Sequence, residues 1–312
     1  MKQKLVKSHP LNFFSGGVWL VIGCIFGCFS GLFADQKIRI VTVNDDFSSI
    51  ATSIGQELVH VTSLVHGSKN MHDIQPKPSM VMALKHADMI IRLGMDQDSW
   101  LDGLIQVARN PKLFSNQMGY LDASKNIRKL EVPTHDIDGS HGDVHLEGNP
   151  HYNLNPMNGV IIADSIRHHL VAIDPKNKAA YDKNFNEFST HISQKMVQWK
   201  QQMAAVQKKK FVSYHKVWAY FYDAFDLDSM GTLELVPGVP PTIKHLKHLK
   251  ETVKQKKWTV IVLTANYYPK KVGQAFAKDT HATSHHLYTN VGEDGIETYT
   301  DLFDYLVSEI SK

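Results

Sequence analysis

Cysteine is almost missing from this chain: two residues in 312, Cys24 and Cys28, both within the first 34. Everything after Ala34 therefore has no means of forming a disulfide, and its stability has to come from packing. An excess of one charge is missing too. Lys2, Lys4 and Lys7 account for the positive balance; without them the 34 Lys and Arg of the full chain fall to 31, against 31 Asp and Glu. So even a balance gives no basic field for nucleic acid. Residues 177–207, in turn, contain neither Gly nor Pro, so nothing there interrupts a helix.

What is present at the N-terminus is an export leader. The three lysines precede LNFFSGGVWLVIGCIFGCFSGLFA, an uncharged run from Leu11 to Ala34. Its length would suffice for an uncleaved anchor, but five glycines break it and Asp35 follows at once, which favours cleavage after Ala34 although Leu32 is larger than the cleavage rule prefers. VIGC, residues 21–24, also resembles a lipoprotein processing box, which would leave Cys24 as a lipidated N-terminus. About 280 residues remain, enough for one large domain or two of ordinary size.

Along that remainder, strand and helix patterns alternate. IRIVTV (38–43) and HVTSLV (60–65) read as strands, FSSIATSIGQEL (47–58) as a helix, and PSMVMALKHADMIIRLG (78–94) as a helix running into a strand. WLDGLIQVARN and NPMNGVIIADSIRHHLVAI follow as helices. After residue 207 come the strand KKFVSYHK, the helices VWAYFYDAF and IKHLKHLKETVKQ, and the strand WTVIVLTA. Such alternation implies parallel sheets. Between the two sets, Tyr181, Phe185, Phe188, Ile192, Met196 and Met203 mark one amphipathic helix, about 45 Å long at ~1.5 Å per residue. The expected fold is α/β with two lobes, each a mainly parallel sheet flanked by helices, joined by one long connecting helix. The boundaries read as a leader 1–34, an N-terminal lobe 35–176, the helix 177–207 and a C-terminal lobe 208–312.

Histidine is abundant, 18 residues, and position sorts them. The loop GDVHLEGNPHYNLNP (142–156) holds two among Gly, Asn and Pro; either they are there by chance or the irregular backbone aims one at a ligand. His72, His151 and His215 each sit in a loop following a strand, the edge at which open parallel sheets bind ligands. His245 and His248 lie on a lysine-rich helix and read as solvated, and His168 and His169 are consecutive on a helix and cannot face one site together. His281, His285 and His286 fall at a late strand edge, and His60 reads as structural. His135, His141 and His145 are candidates for a mobile secondary metal contact. Imidazole suits Zn²⁺, which takes about four donors, but no spacing rule joins positions 72, 151 and 215.

An ordered set of motifs joins them. VTSLVHGSKNMHDIQPKPSMVMALKHADMII, GNPHYNLNPMNG, SYHKVWAYFYDAFDL and GTLELVPGVPPTIKHLKHLKETVKQ resemble, in sequence order, the signatures of the zinc and manganese substrate-binding proteins of ABC importers. The resemblance covers nearly everything from Ile38 onward. It implies that His72, His151 and His215 are metal ligands and that a monomeric receptor outside the cytoplasmic membrane delivers the ion to a membrane permease without covalent chemistry; a three-imidazole set favours Zn²⁺ over Mn²⁺ as that cargo. It implies no nucleic-acid partner. The chain departs from the family where a ligand aspartate is usual: LYTNVGEDGIETYTDLFDYL puts Thr289 and Asn290 there, leaving water, Asn290, Asp294 or Glu297 to complete the site. Two other classes compete. An exported zinc hydrolase would need an H-E-x-x-H helix or a carboxylate beside the ligand histidines, and of His72, His151 and His215 only His72 has one adjoining, Asp73, which better orients its neighbour or caps the following turn. An adhesin or structural lipoprotein stabilised by zinc would unfold on chelation.

Overall fold

The structure is a computed structural model that describes residues 10, 37–134, 142 and 144–312. The segment read as an export leader, apart from residue 10, and His135 and His141 lie outside the described residues. Among the latter there are two sheets of four parallel strands each. In the first, β1 (Ile38–Asn44), β2 (Val59–Val65), β3 (Met89–Arg92) and β4 (Tyr120–Asp122) stand in the order β2-β1-β3-β4; in the second, β5 (Lys210–Ser213), β6 (Asp228–Thr232), β7 (Val260–Ala265) and β8 (Thr283–Leu287) stand as β6-β5-β7-β8. The two orders are the same pattern used twice. In each, the chain leaves the first strand toward one edge and crosses back to its other side, which opens a crevice at the carboxyl ends of the strands. The two-lobed α/β class read from the sequence is the one observed.

The strands beside those crevices are the apolar ones. β1 and β7 are buried nearly throughout, as β-branched strands covered on both faces must be. The register Ile38↔Val59 to Asn44↔Val65 carries β1 and β2 to one common end, from which the loop toward His72 departs. β6 differs: DSMGT has little apolar content, lies exposed at the edge and, among the described residues, pairs with β5 alone, so backbone hydrogen bonding rather than side-chain burial defines it.

Nine helices cover the sheets among the described residues: α1 (Asp45–Gly55), α2 (Pro78–Lys85), α3 (Trp100–Ala108), α4 (Pro156–Ile173), α5 (Lys178–Met203), α6 (Ala219–Phe225), α7 (Ile243–Lys256), α8 (Lys270–Thr280) and α9 (Tyr299–Ile310). α5 is the long helix, 26 residues or about 39 Å; it buries Tyr181, Ile192, Trp199 and Met203. α9 returns to pack on α5 and α1, with Trp199 Nε1 donating to Asp304 at 2.8 Å. Most of the apolar interior is one cluster running through both sheets, and a smaller one lies between β5, β7 and the outer helices α7 and α8. None of these helices is long and apolar enough to cross a membrane.

Polar ties close the cleft between the sheets at its ends. Ser68, in the loop after β2, donates its N–H to Glu293 at 2.9 Å and its hydroxyl to Asn266 at 2.6 Å. On the other side Arg128 pairs with Asp223, and the Tyr220 hydroxyl accepts from Leu130 N at 3.1 Å.

Candidate metal centre

The candidate histidines sit in connecting segments, His72 between β2 and α2, His151 just before α4 and His215 just after β5, and polar side chains hold them. His72 lies in a single 3₁₀ turn, Met71–Asp73, whose cap is Asn70: its Oδ1 accepts from His72 N at 3.2 Å. Asn70 in turn donates to Asp73 at 2.9 Å, so the carboxylate beside His72 braces the cap of its own turn. His151 caps the 3₁₀ turn Tyr152–Leu154 that leads, through Asn155 as N-cap, into α4. Tyr152 hydroxyl donates to Leu93 O at 2.6 Å and ties that turn to the end of β3. His215 follows β5 directly and is buried.

Hydrogen bonds fix the tautomers. The Nδ1–H of His215 donates to the buried carboxylate of Glu234 at 2.7 Å, which also accepts from Gly238 N at 3.1 Å. That of His151 donates to Asn149 Oδ1 at 3.0 Å. The orientation of this amide follows from its other end, where Nδ2 donates to Glu131 at 2.9 Å and to Lys216 O at 2.6 Å. Carboxylate and amide oxygens can only accept, so in each ring the proton is on Nδ1 and the lone pair on Nε2, the arrangement of a metal-binding imidazole backed by an outer partner. Glu234 was not singled out from the sequence. Its signal was a lone acid between apolar residues, Leu233 and Leu235.

The histidines come together as two pairs. The rings of His151 and His215 are 6.2 Å apart, centre to centre, and those of His72 and His145 are 5.0 Å apart. His145, His151 and His215 share a cavity of about 40 Å³ with Glu131 and Asn149 on its wall. Enclosure holds the His151 imidazole well below its ordinary range, and the neighbouring His215, His145 and His72 rings add to that; it is kept neutral, as a ligand must be. Among the described residues no three His, Cys, Asp or Glu side chains already converge at ligand distance. The structure thus brings the three sequence candidates to one cleft, His72 at its exposed rim, without closing them into a cage.

Thr289 and Asn290, where the resemblance leads one to expect a ligand aspartate, are engaged otherwise. Asn290 donates to Asp46 at 2.8 Å while its Oδ1 accepts from the Thr289 hydroxyl at 3.3 Å. Asp46, fully buried at the start of α1, also accepts from Val291 N at 2.7 Å and from Asn153 Nδ2 at 2.7 Å. Burial pushes its pKa up to about 6 against those donors. This carboxylate, missed in the sequence because Asn-Asp-Asp reads as a helix cap, joins the His151 turn to the turn after β8. Asp294 and Glu297 are exposed and line neither cavity at the histidines.

Comparison with known proteins gives the family of the chain. A family profile described as zinc-uptake complex component A, periplasmic, matches residues 40–312. Among curated relatives, the metal ABC transporter substrate-binding lipoprotein FimA of Streptococcus parasanguinis is 25% identical over 282 residues, 88% of this chain and 86% of its own. The manganese ABC transporter substrate-binding lipoprotein PsaA of Streptococcus pneumoniae is 27% identical over 230 residues, 72% and 71%. Among solved structures, the crystal structure of ZnuA has a TM-score of 0.72 at 22% identity, covering 88% of this chain and 98% of that one. The Cd-bound periplasmic metal binding protein from Candidatus Liberibacter asiaticus also scores 0.72, at 20% identity with the same coverage. The chain belongs to the family of periplasmic A components of zinc-uptake complexes, the metal-binding receptors, not enzymes, of ABC importers.

Proposed function

We propose that the protein captures Zn²⁺ with His72, His151 and His215 and delivers it, as a monomer, to the permease of its importer. The observation that carries the reading is the pair of tautomer-fixing bonds, His215 to Glu234 and His151 to Asn149. Both make Nε2 the donor, and imidazole donors suit zinc, whereas manganese sites favour harder oxygen. The cargo needs no step of chemistry; the residues desolvate it, hold it and let it go. Export follows from the leader, residues 1–34, with a cleaved N-terminus at Asp35 or, if VIGC is processed, a lipidated Cys24; the mass of the mature protein distinguishes the two.

Equilibrium dialysis with metal analysis tests the site. One zinc per chain is expected, and His72→Ala, His151→Ala and His215→Ala each weaken it at least about tenfold, as loss of even an outer-shell partner does. A variant that keeps wild-type affinity removes that histidine from the site. Chelation is expected to strip the metal and leave the chain folded; unfolding on chelation would make zinc structural instead.

A further inference from the structure

His145, read from the sequence as a candidate for a mobile secondary metal contact, lies among the three ligand candidates. Its ring lies 5.0 Å from that of His72 and lines the same cavity as His151 and His215, so it stands between the exposed rim ligand and the buried pair. Resting on the zinc reading above, we infer that His145 is a fourth donor to the same ion, replacing the aspartate that this chain lacks at Asn290.

The support beneath His145 is built. Its Nδ1–H donates to Met95 O at 3.0 Å; a carbonyl only accepts, so the lone pair is on Nε2, as in His151 and His215. Met95 sits at positive φ in a turn pinned by Asp98, which accepts from Leu93 N at 2.6 Å and pairs with the buried Arg92 at 2.8 Å. The end of β3 therefore anchors two histidines at once, His145 through Met95 O and His151 through the Tyr152 hydroxyl on Leu93 O.

The returning segment is fixed from both directions as well. Gly148 N donates to His145 O at 3.2 Å and Asn149 N to Leu130 O at 2.8 Å. At its near end Gly142 has φ +75°, and a Cβ there would come within 2.2 Å of Pro237 O; only glycine lets the chain lie against the turn that carries Glu234. Asn290 is meanwhile committed to Asp46 and Thr289. Four imidazoles complete a tetrahedral nitrogen set with no inner oxygen, and that set disfavours manganese.

X-ray absorption at the zinc edge, with visible spectra of the Co²⁺-loaded protein, tests this on the mature chain. Wild type is expected to give four imidazole ligands and the intense bands of tetrahedral cobalt. His145→Ala is expected to give three imidazoles and an oxygen, with zinc affinity down about 10–100-fold and the metal-free melting temperature unchanged. His145→Asn, whose amide can still donate to Met95, gives the same ligand loss even if the alanine variant folds poorly. A wild-type ligand set of three imidazoles plus oxygen, or wild-type affinity in both variants, overturns the inference. If His151→Ala and His215→Ala collapse binding while the His145 variants do not, His145 alone is refuted; if none of these variants matters, the site reading falls and takes the inference with it.

Discussion

Removing the carboxylate behind His215 should weaken metal binding by an amount set by two atoms. Both donors that reach Glu234, His215 Nδ1 and Gly238 N, converge on one oxygen, Oε2, at 2.7 and 3.1 Å. In Glu234→Gln the amide oxygen can occupy that position and keep both bonds, so only the charge is lost. Hydrogen bonds to charged acceptors contribute about 1.5–3 kcal/mol and neutral ones about 0.5–1.5. The difference, about 1–1.5 kcal/mol, is close to tenfold in Kd. Glu234→Ala removes the acceptor altogether. It strands two donors in a buried site and releases the tautomer, so His215 can carry its proton on Nε2 and turn it toward the metal. A loss of about 2–3 kcal/mol, roughly 30–150-fold, is expected. Competition against a chromophoric zinc chelator at fixed neutral pH reads both variants. The order wild type, Gln, Ala is the expected result, with fold checked by circular dichroism. Equal affinity in Glu234→Ala and wild type would refute the claim that Glu234 orients a metal-binding imidazole.

Two further outcomes concern the frame around the site. Asn290→Asp restores the family's acid but sets a second carboxylate beside Asp46, where 2.8 Å now separates donor from acceptor. The folded Asp46 keeps its proton up to about 6 against 3.8 unfolded, so its ionisation draws stability out of the native state as pH rises between those values, by about 3 kcal/mol at 1.36 per unit. A second acid there makes that loss larger, and the variant should be destabilised more at pH 7 than at pH 4.5 in urea titrations; an equal deficit at both would contradict the pairing. Gly159→Ala puts a Cβ within 2.1 Å of the buried Tyr299 ring, whose hydroxyl donates to Asn153 O at 2.6 Å. Overpacking there should cost about 1–3 kcal/mol in a thermal or urea melt, and a neutral substitution would mean that α4 and α9 can part freely.

Much of the fold was legible because its strands are apolar. β1 and β7 announce themselves by Ile and Val runs, and the uninterrupted stretch around Tyr181 to Met203 announces α5. β6 was not legible: Asp228, Ser229 and Gly231 carry no burial signal, and the strand exists through its pairing with β5. The site followed the same division. His72, His151 and His215 could be picked out by following strand ends, whereas Glu234 and Asp46 could not, since a buried acid and a solvated one are the same letter. What distinguishes Asp46 is three N–H groups arriving from residues 153, 290 and 291, a meeting made only by the tertiary fold. The hold on His145 was not legible either, because a Gly- and His-rich loop gives no hint of the Met95 carbonyl that its Nδ1–H reaches.

The central claim, a nitrogen-donor site made for zinc, is tested most directly by titrating the unmutated mature protein with Zn²⁺ and Mn²⁺ in metal-buffered solutions at the same neutral pH. A histidine set backed by Glu234 and Asn149 is expected to bind one Zn²⁺ per chain at least about a thousandfold more tightly than Mn²⁺, in keeping with their places in the divalent-metal order and the hardness of manganese. Comparable affinity for the two ions would contradict the ligand assignment.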